Sequence, residues 1–144
     1  MKTYVLMVSE TFPKSHKKSG KPTGFPLAIQ HYDKIHTIRA NYSLWEKRFK
    51  EINDGKAILS VRIWLGKPYR SKQGEIFRYD YRRKIGLQKL TDPDNFAWAT
   101  IDGKKVNWDD VAKNDGLSFD DFCEWFKNPG KDPMAVIHLT DFRY

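Results

Sequence analysis

The segment Lys34-Ile35-His36-Thr37-Ile38-Arg39 places an amine, an imidazole, a hydroxyl and a guanidinium within six residues. Such groups can hold an anion, hydrogen-bond the edge of a base, or move a proton. The isoleucines between them give the segment the character of a strand or its leading edge. Successive side chains of a strand point to opposite faces. Ile35, Thr37 and Arg39 are then expected on one side, and Lys34, His36 and Ile38 on the other. A pure core strand would not carry so many polar heads. A pure surface strand would not run straight into a strongly amphipathic helix. The segment therefore reads as the rim of a pocket. The carboxylate best placed to join it is Asp115, in the break Asn114-Asp115-Gly116-Leu117 between two predicted helices. A short acidic side chain there either faces a cleft or simply ends a helix in an Asn-Asp-Gly turn.

Other chemistries find little support. There is no glycine-rich phosphate loop or dinucleotide fingerprint and no serine nucleophile elbow. His16, His31, His36 and His138 are scattered, without cysteine pairs or a local carboxylate–histidine spacing, so no metal and no cofactor is expected. Cys123 is the only cysteine, so no disulfide can form within the chain, which fits a reducing compartment. It falls in a predicted helix, Phe119 to Phe126, where a buried or half-buried apolar role is expected.

The 144 residues suit one domain spanning 1–144, and 40% apolar with 15% aromatic content is enough to bury a core. The formal net charge is +8. Lysine and arginine outnumber acids from Lys14 to Lys89, whereas Asp92 to Asp132 is richer in aspartate. That asymmetry predicts one basic face that attracts polyanions. No basic amphipathic helix stands out, so nucleic acid or nucleotides are favoured over membranes. The same charge also serves solubility alone, which leaves a non-catalytic interaction domain as an alternative. The first apolar run is too short for a signal peptide, and no run reaches membrane-spanning length. A cytoplasmic protein is expected.

Periodicity and turn chemistry position the candidates. Strands are predicted at Tyr4–Ser9, Ala57–Leu65, Glu75–Lys84 (extended by Gly86–Leu90), Phe96–Ile101 and Met134–Tyr144. In Ala57–Leu65 the odd positions form an apolar face, and Ile58, Ser60, Arg62 and Trp64 form the other. Asp102-Gly103 is a tight-turn dipeptide. A short helix is predicted after Pro26. A longer one, with Trp45, Phe49 and Ile52 on its apolar stripe, would open on a Ser43–Glu46 capping box and end at Gly55. Two late helices start after Asn107 and Ser118 as caps. Phe12 to Gly24 is a basic loop, either a phosphate track or a solvated insertion. Gly66 to Gly74 is a basic hairpin-like connection whose Lys67, Tyr69, Arg70 and Lys72 could steer phosphate. Mostly strands, with one helix early and two late, predict an α+β fold: a small mixed or antiparallel barrel with helices across its ends.

Three features together resemble the ASCH family, a branch of the PUA-like barrels. The first is Lys34-Ile-His-Thr37-Ile-Arg39, similar to that family's lysine, two residues, then Thr-Ile-Arg after a short helix. The second is Lys113 to Phe126, similar to its acidic residue, glycine step and following helix. The third is the closing strand, Ala135 to Arg143. With the strand from Gly55 to Ser60, the resemblance covers most of residues 25 to 144 and leaves 12–24 as an insertion. It implies a pseudo-barrel whose cleft binds RNA or a modified nucleoside or nucleotide. One subgroup, the acetylcytidine amidohydrolases, uses a lysine, a threonine and a glutamate. Carried over by position, these fall on Lys34, Thr37 and Asp115, with Arg39 beside them as a ligand-binding cation. Aspartate in place of glutamate is a departure that shortens the acid's reach by one carbon–carbon bond.

Overall fold

In the computed structural model, residues 1–129 and 133–144 are described. The chain is α+β, with eight strands and four helices in these residues. The strands are β1 (Lys2–Met7), β2 (His36–Arg39), β3 (Ala57–Trp64), β4 (Gln73–Tyr79), β5 (Gly86–Thr91), β6 (Ala99–Ile101), β7 (Lys104–Val106) and β8 (Met134–His138). The helices are α1 (Phe25–Gln30), α2 (Tyr42–Asn53), α3 (Trp108–Asn114) and α4 (Phe119–Trp125). Among the described residues, no helix is long and apolar enough to cross a membrane.

The strands form two sheets, ordered β1-β3-β4 and β2-β8-β5-β6-β7. The expected barrel is not closed among the described residues, because no ladder joins one sheet to the other. β1 and β3 run parallel, from Lys2 opposite Ala57 to Met7 opposite Arg62. Parallel neighbours need a long crossover, and here that crossover carries α1, β2 and α2. The Pro- and Gly-free strand β8 lies between β2 and β5, and all five of its residues are buried. A central strand covered on both faces loses the alternation of an edge strand. The same holds for Ala57–Val61 of β3, so the face that carries Ile58 and Ser60 is buried as well.

Several boundaries differ from expectation. Asn41, not Ser43, caps α2: it sits at φ 66° and its side-chain oxygen accepts from the Leu44 N–H at 3.3 Å. Asparagine tolerates the left-handed region, so the cap moves two residues back. β4 ends at Tyr79, and a 3₁₀ turn (Tyr81–Arg83) separates it from β5, which pairs in the other sheet. β8 stops at His138, and 139–144 folds back over it. By contrast Trp45, Phe49 and Ile52 are buried as expected. Asn107 and Ser118 cap α3 and α4 through the Asp109 and Asp121 N–H groups. Asp102-Gly103, at φ 49° and 79°, joins β6 to β7 as a tight turn.

The segment 12–24 is packed rather than loosely solvated. Thr11 bridges Pro22, and Phe12 and His16 are buried. The Lys18 N–H donates to His16 Nδ1 at 3.0 Å, so Nε2 carries the ring proton and donates to the Asp121 carbonyl at 3.0 Å. Lys18 Nζ also meets Asp121 Oδ2 at 2.6 Å. Phe12 and His16 stack against Trp125. The basic loop is thereby fastened onto α4. Cys123 is exposed rather than buried, because the short α4 turns its Phe122 side inward.

Candidate functional site

The end of α3 meets the approach to β2. The Ile35 N–H donates to the Asn114 carbonyl at 2.9 Å, and Lys34 forms an isolated bridge with Asp115. β2 begins only at His36, so Lys34 escapes the strict alternation expected of it. Its side chain turns into the same cavity as Thr37 and Arg39, with Asp115 opposite. Four polar groups from two distant segments thus line one cavity.

Lys34 is almost fully buried. Its ammonium donates to the Asp115 carbonyl at 2.7 Å and to Asp115 Oδ1 at 3.0 Å. The backbone carbonyl belongs to the C-cap of α3, where the helix dipole favours a cation. The ammonium also lies 4.1 Å from the centre of the Phe25 ring, an additional favourable cation–π contact. Burial pulls the Lys34 amine below its ordinary range; Asp115 opposes this and Arg39 adds to it. Burial alone would push Asp115 up, but Lys34 and His36 outweigh that and hold its carboxyl below the usual value.

Two further residues, His36 and Tyr144, extend the polar network. His36 is fully buried, and its Nδ1–H donates to Asp115 Oδ1 at 3.2 Å. Its Nε2 is 2.5 Å from the Tyr144 hydroxyl, which in turn accepts from Asn114 Nδ2 at 3.1 Å. With a carboxylate on one side, a neutral imidazole must donate there and accept from tyrosine on the other. Asp115 therefore accepts from both sides within a hydrogen-bonded row, Tyr144–His36–Asp115–Lys34. His36 could have been suspected from its place in the hexapeptide. Tyr144, 108 residues away, could not.

Arg39 works differently from Lys34. Its guanidinium donates to Thr37 Oγ1 at 2.7 Å, to the Ile38 carbonyl at 2.9 Å and to the Met7 carbonyl at 2.6 Å. It pins β2 to the end of β1 and leaves the Thr37 hydroxyl proton free to point into the cavity. Phe25 and Trp125 supply apolar walls. The cavity offers ≈ 20 Å³ to the centre of a water molecule. That is room for about one water, so a larger guest requires its walls to part.

Gly116 explains why the Asp-Gly step is needed. It sits at φ 79°, and a Cβ there would come within 3.0 Å of Lys34 Cβ. Gly116→Ala is expected to cost about 1–2 kcal/mol, from left-handed strain plus displacement of the Lys34 stem. Chemical denaturation checks this; an unchanged midpoint would show that the Lys34–Asp115 contact tolerates the shift.

Lys67, Tyr69, Arg70 and Lys72 do not line the cavity. All four are exposed on the β3–β4 connection, with Tyr69 stacked near Trp64 at a ring separation of 5.3 Å. Among the described residues, no cluster of three His, Cys, Asp or Glu side chains could hold a metal ion. A separate apolar cavity of ≈ 90 Å³, lined by Trp108, Phe119, Phe122 and Cys123, shares Phe126 with the Lys34 cavity. No protein-family model matches the chain, and neither a curated protein nor a solved structure matches it.

Proposed function

We propose that the protein is a nucleic-acid-binding domain of the PUA-like, ASCH type, which receives an RNA base or modified nucleotide at the Lys34–Asp115 cavity. The observation that carries this reading is the convergence of Lys34, Thr37, Arg39 and Asp115 on one cavity. A carboxylate, a hydroxyl and cations can together address the donor and acceptor edge of a base, and aromatic walls suit its faces. The net charge of +8 favours a polyanionic ligand. The hairpin tip with Lys67 and Arg70 extends from the sheet end where Val8 and Ser9 meet the cavity, so it can approach a strand entering there.

The geometry supports holding better than cutting. In an amidohydrolase, Lys34 would take the Thr37 proton, yet Lys34 is bonded to Asp115 and Thr37 to Arg39. Neither base candidate is hydrogen-bonded to the hydroxyl.

Equilibrium binding of labelled single-stranded RNA tests the proposal. If about four phosphates are neutralised, affinity is expected to fall roughly 50-fold between about 50 and 200 mM salt, through counterion release. Absence of binding to any RNA, or a flat salt dependence, would refute it.

A further inference from the structure

The largest cavity among those described lies on the other side of α1. It offers ≈ 380 Å³, against ≈ 20 Å³ for the Lys34 cavity on the same measure. Three chain segments build it: the end of α1, the stretch from Phe77 through the 3₁₀ turn to Lys84, and residues 139–141 after β8. Its cationic lining is Arg78, Arg82, Arg83 and Lys84, and its one acid is Asp141. Its aromatic lining is Tyr32, Phe77 and Tyr79.

Among the described residues, two of these four cations are unpaired and two are held by a neighbouring acid. Arg83 and Lys84 have no ion pair among the described residues, while Arg82 is held by Asp80 at 2.7 Å and Arg78 by Glu75 through Nε at 3.1 Å. All four cations are exposed and open to solvent. Tyr32 is 74% exposed although it lines a hollow. Phe77 and Tyr79 are half-buried and stack at 5.9 Å, giving the floor a fixed aromatic surface. Burial, with Tyr32 adding, pushes the Tyr79 hydroxyl up to about 12, so it stays a neutral donor. Two lining residues, Tyr32 and Lys84, hold left-handed backbone at φ 60° and 56°. Non-glycine residues adopt that conformation at a cost, and such strain gathers at ligand sites.

We infer that this groove is a binding site for single-stranded nucleic acid, with phosphates against Arg82, Arg83 and Lys84 and a base stacked on Tyr32. The inference rests on the nucleic-acid reading above and gives it a second contact surface. Cations beside open aromatic faces are the recurring means of gripping an unpaired strand without reading its sequence. A flat anionic bilayer could not enter the hollow to reach Phe77 and Tyr79. A free phosphate would use the cations and leave the aromatic faces unused. Because α1 gives Phe25 to the Lys34 cavity and Ile29 and Gln30 to the groove, with Tyr32 just beyond its end, one strand can touch both.

The test is fluorescence anisotropy with a labelled strand of about eight nucleotides, as RNA, as DNA and as a duplex. Wild type is compared with Arg82→Ala/Arg83→Ala, with Tyr32→Ala, and with Lys67→Ala/Arg70→Ala on the hairpin tip. All these side chains are exposed, so the variants should fold. The arginine pair is expected to lower affinity about tenfold and to reduce the log–log salt slope by roughly 1.4. Tyr32→Ala is expected to lower affinity about 5- to 150-fold with the slope unchanged. Equal binding of RNA and DNA assigns recognition to phosphate and base face; preference for RNA adds the 2′-hydroxyl; both support the site. If wild type binds RNA but the groove variants stay within about twofold of it, the groove inference fails and the broader reading survives. Tighter binding of the duplex also overturns it. If wild type binds no strand, both fall.

Discussion

Asp115→Ala is expected to destabilise the protein by about 3–5 kcal/mol, the usual cost of stranding one member of a buried ion pair. Lys34 and Asp115 are 2% and 3% exposed, so the variant leaves a buried ammonium without its counter-charge. The His36 Nδ1–H would lose its acceptor at the same stroke. That loss is at least about a fifth of the stability of an ordinary domain. Urea unfolding of the purified variant measures it. Lys34→Met combined with Asp115→Leu is expected to recover most of the loss, since apolar pairs of similar volume often replace buried ion pairs without penalty. A double variant as unstable as the sum of the singles would show that the two residues act independently. The sign with pH follows from the depressed carboxyl. Its contribution is present above the unfolded carboxylate value and is lost as pH falls through the folded one.

Acid should weaken the protein well before carboxylates titrate, and His138 is the reason. It is fully buried at the end of β8, and burial, His36 and Arg143 lower its value from 6.5 to about 3. Its Nε2–H donates to Gln88 Oε1 at 2.9 Å, while Nδ1 has no partner among the described residues. The rings facing it are His36 from β2 and Phe142 and Tyr144 from the closing segment. Among the described residues, no acid is paired with it to stabilise an imidazolium. Below pH 6.5 the unfolded chain therefore binds a proton that the native one refuses. Stability is fully present above that value and declines as pH falls toward 3. The expected loss is about 2 kcal/mol between pH 7 and 5, at 1.36 kcal/mol per pH unit once the transition is passed. Denaturant midpoints measured across that range should show this slope, and His138→Phe should flatten it. An equally steep slope in the variant would place the titrating group elsewhere.

What the sequence made legible was local. Trp45, Phe49 and Ile52 at helical spacing located α2. The Asn107 and Ser118 caps located α3 and α4, and Asp102-Gly103 located the β6–β7 turn. Each is set by residues within one or two turns of chain. The approach of Asp115 to Lys34 was not legible from the residues alone, because an Asn-Asp-Gly break reads equally as a plain helix-ending turn; only the family resemblance paired the two. What escaped depends on distant partners. β5 looks like an extension of β4 until its pairing with β8 puts it in another sheet. Phe12 and His16 look like loop residues until Trp125 and Asp121 cover them. Tyr144 becomes part of the site only because the closing segment folds back onto His36. The groove at Tyr32 and Arg83 draws on three segments, none with a motif of its own.

The central claim is that RNA engages the Lys34–Asp115 cavity. Amide NMR mapping of isotope-labelled protein titrated with a short single-stranded RNA tests it most directly. The expected result is progressive shifts at Lys34 to Arg39 and at Asp115 to Leu117, together with Tyr32 and Arg82 to Lys84. Shifts confined to the hairpin tip at 66–72, or no shifts at saturating RNA, would contradict it.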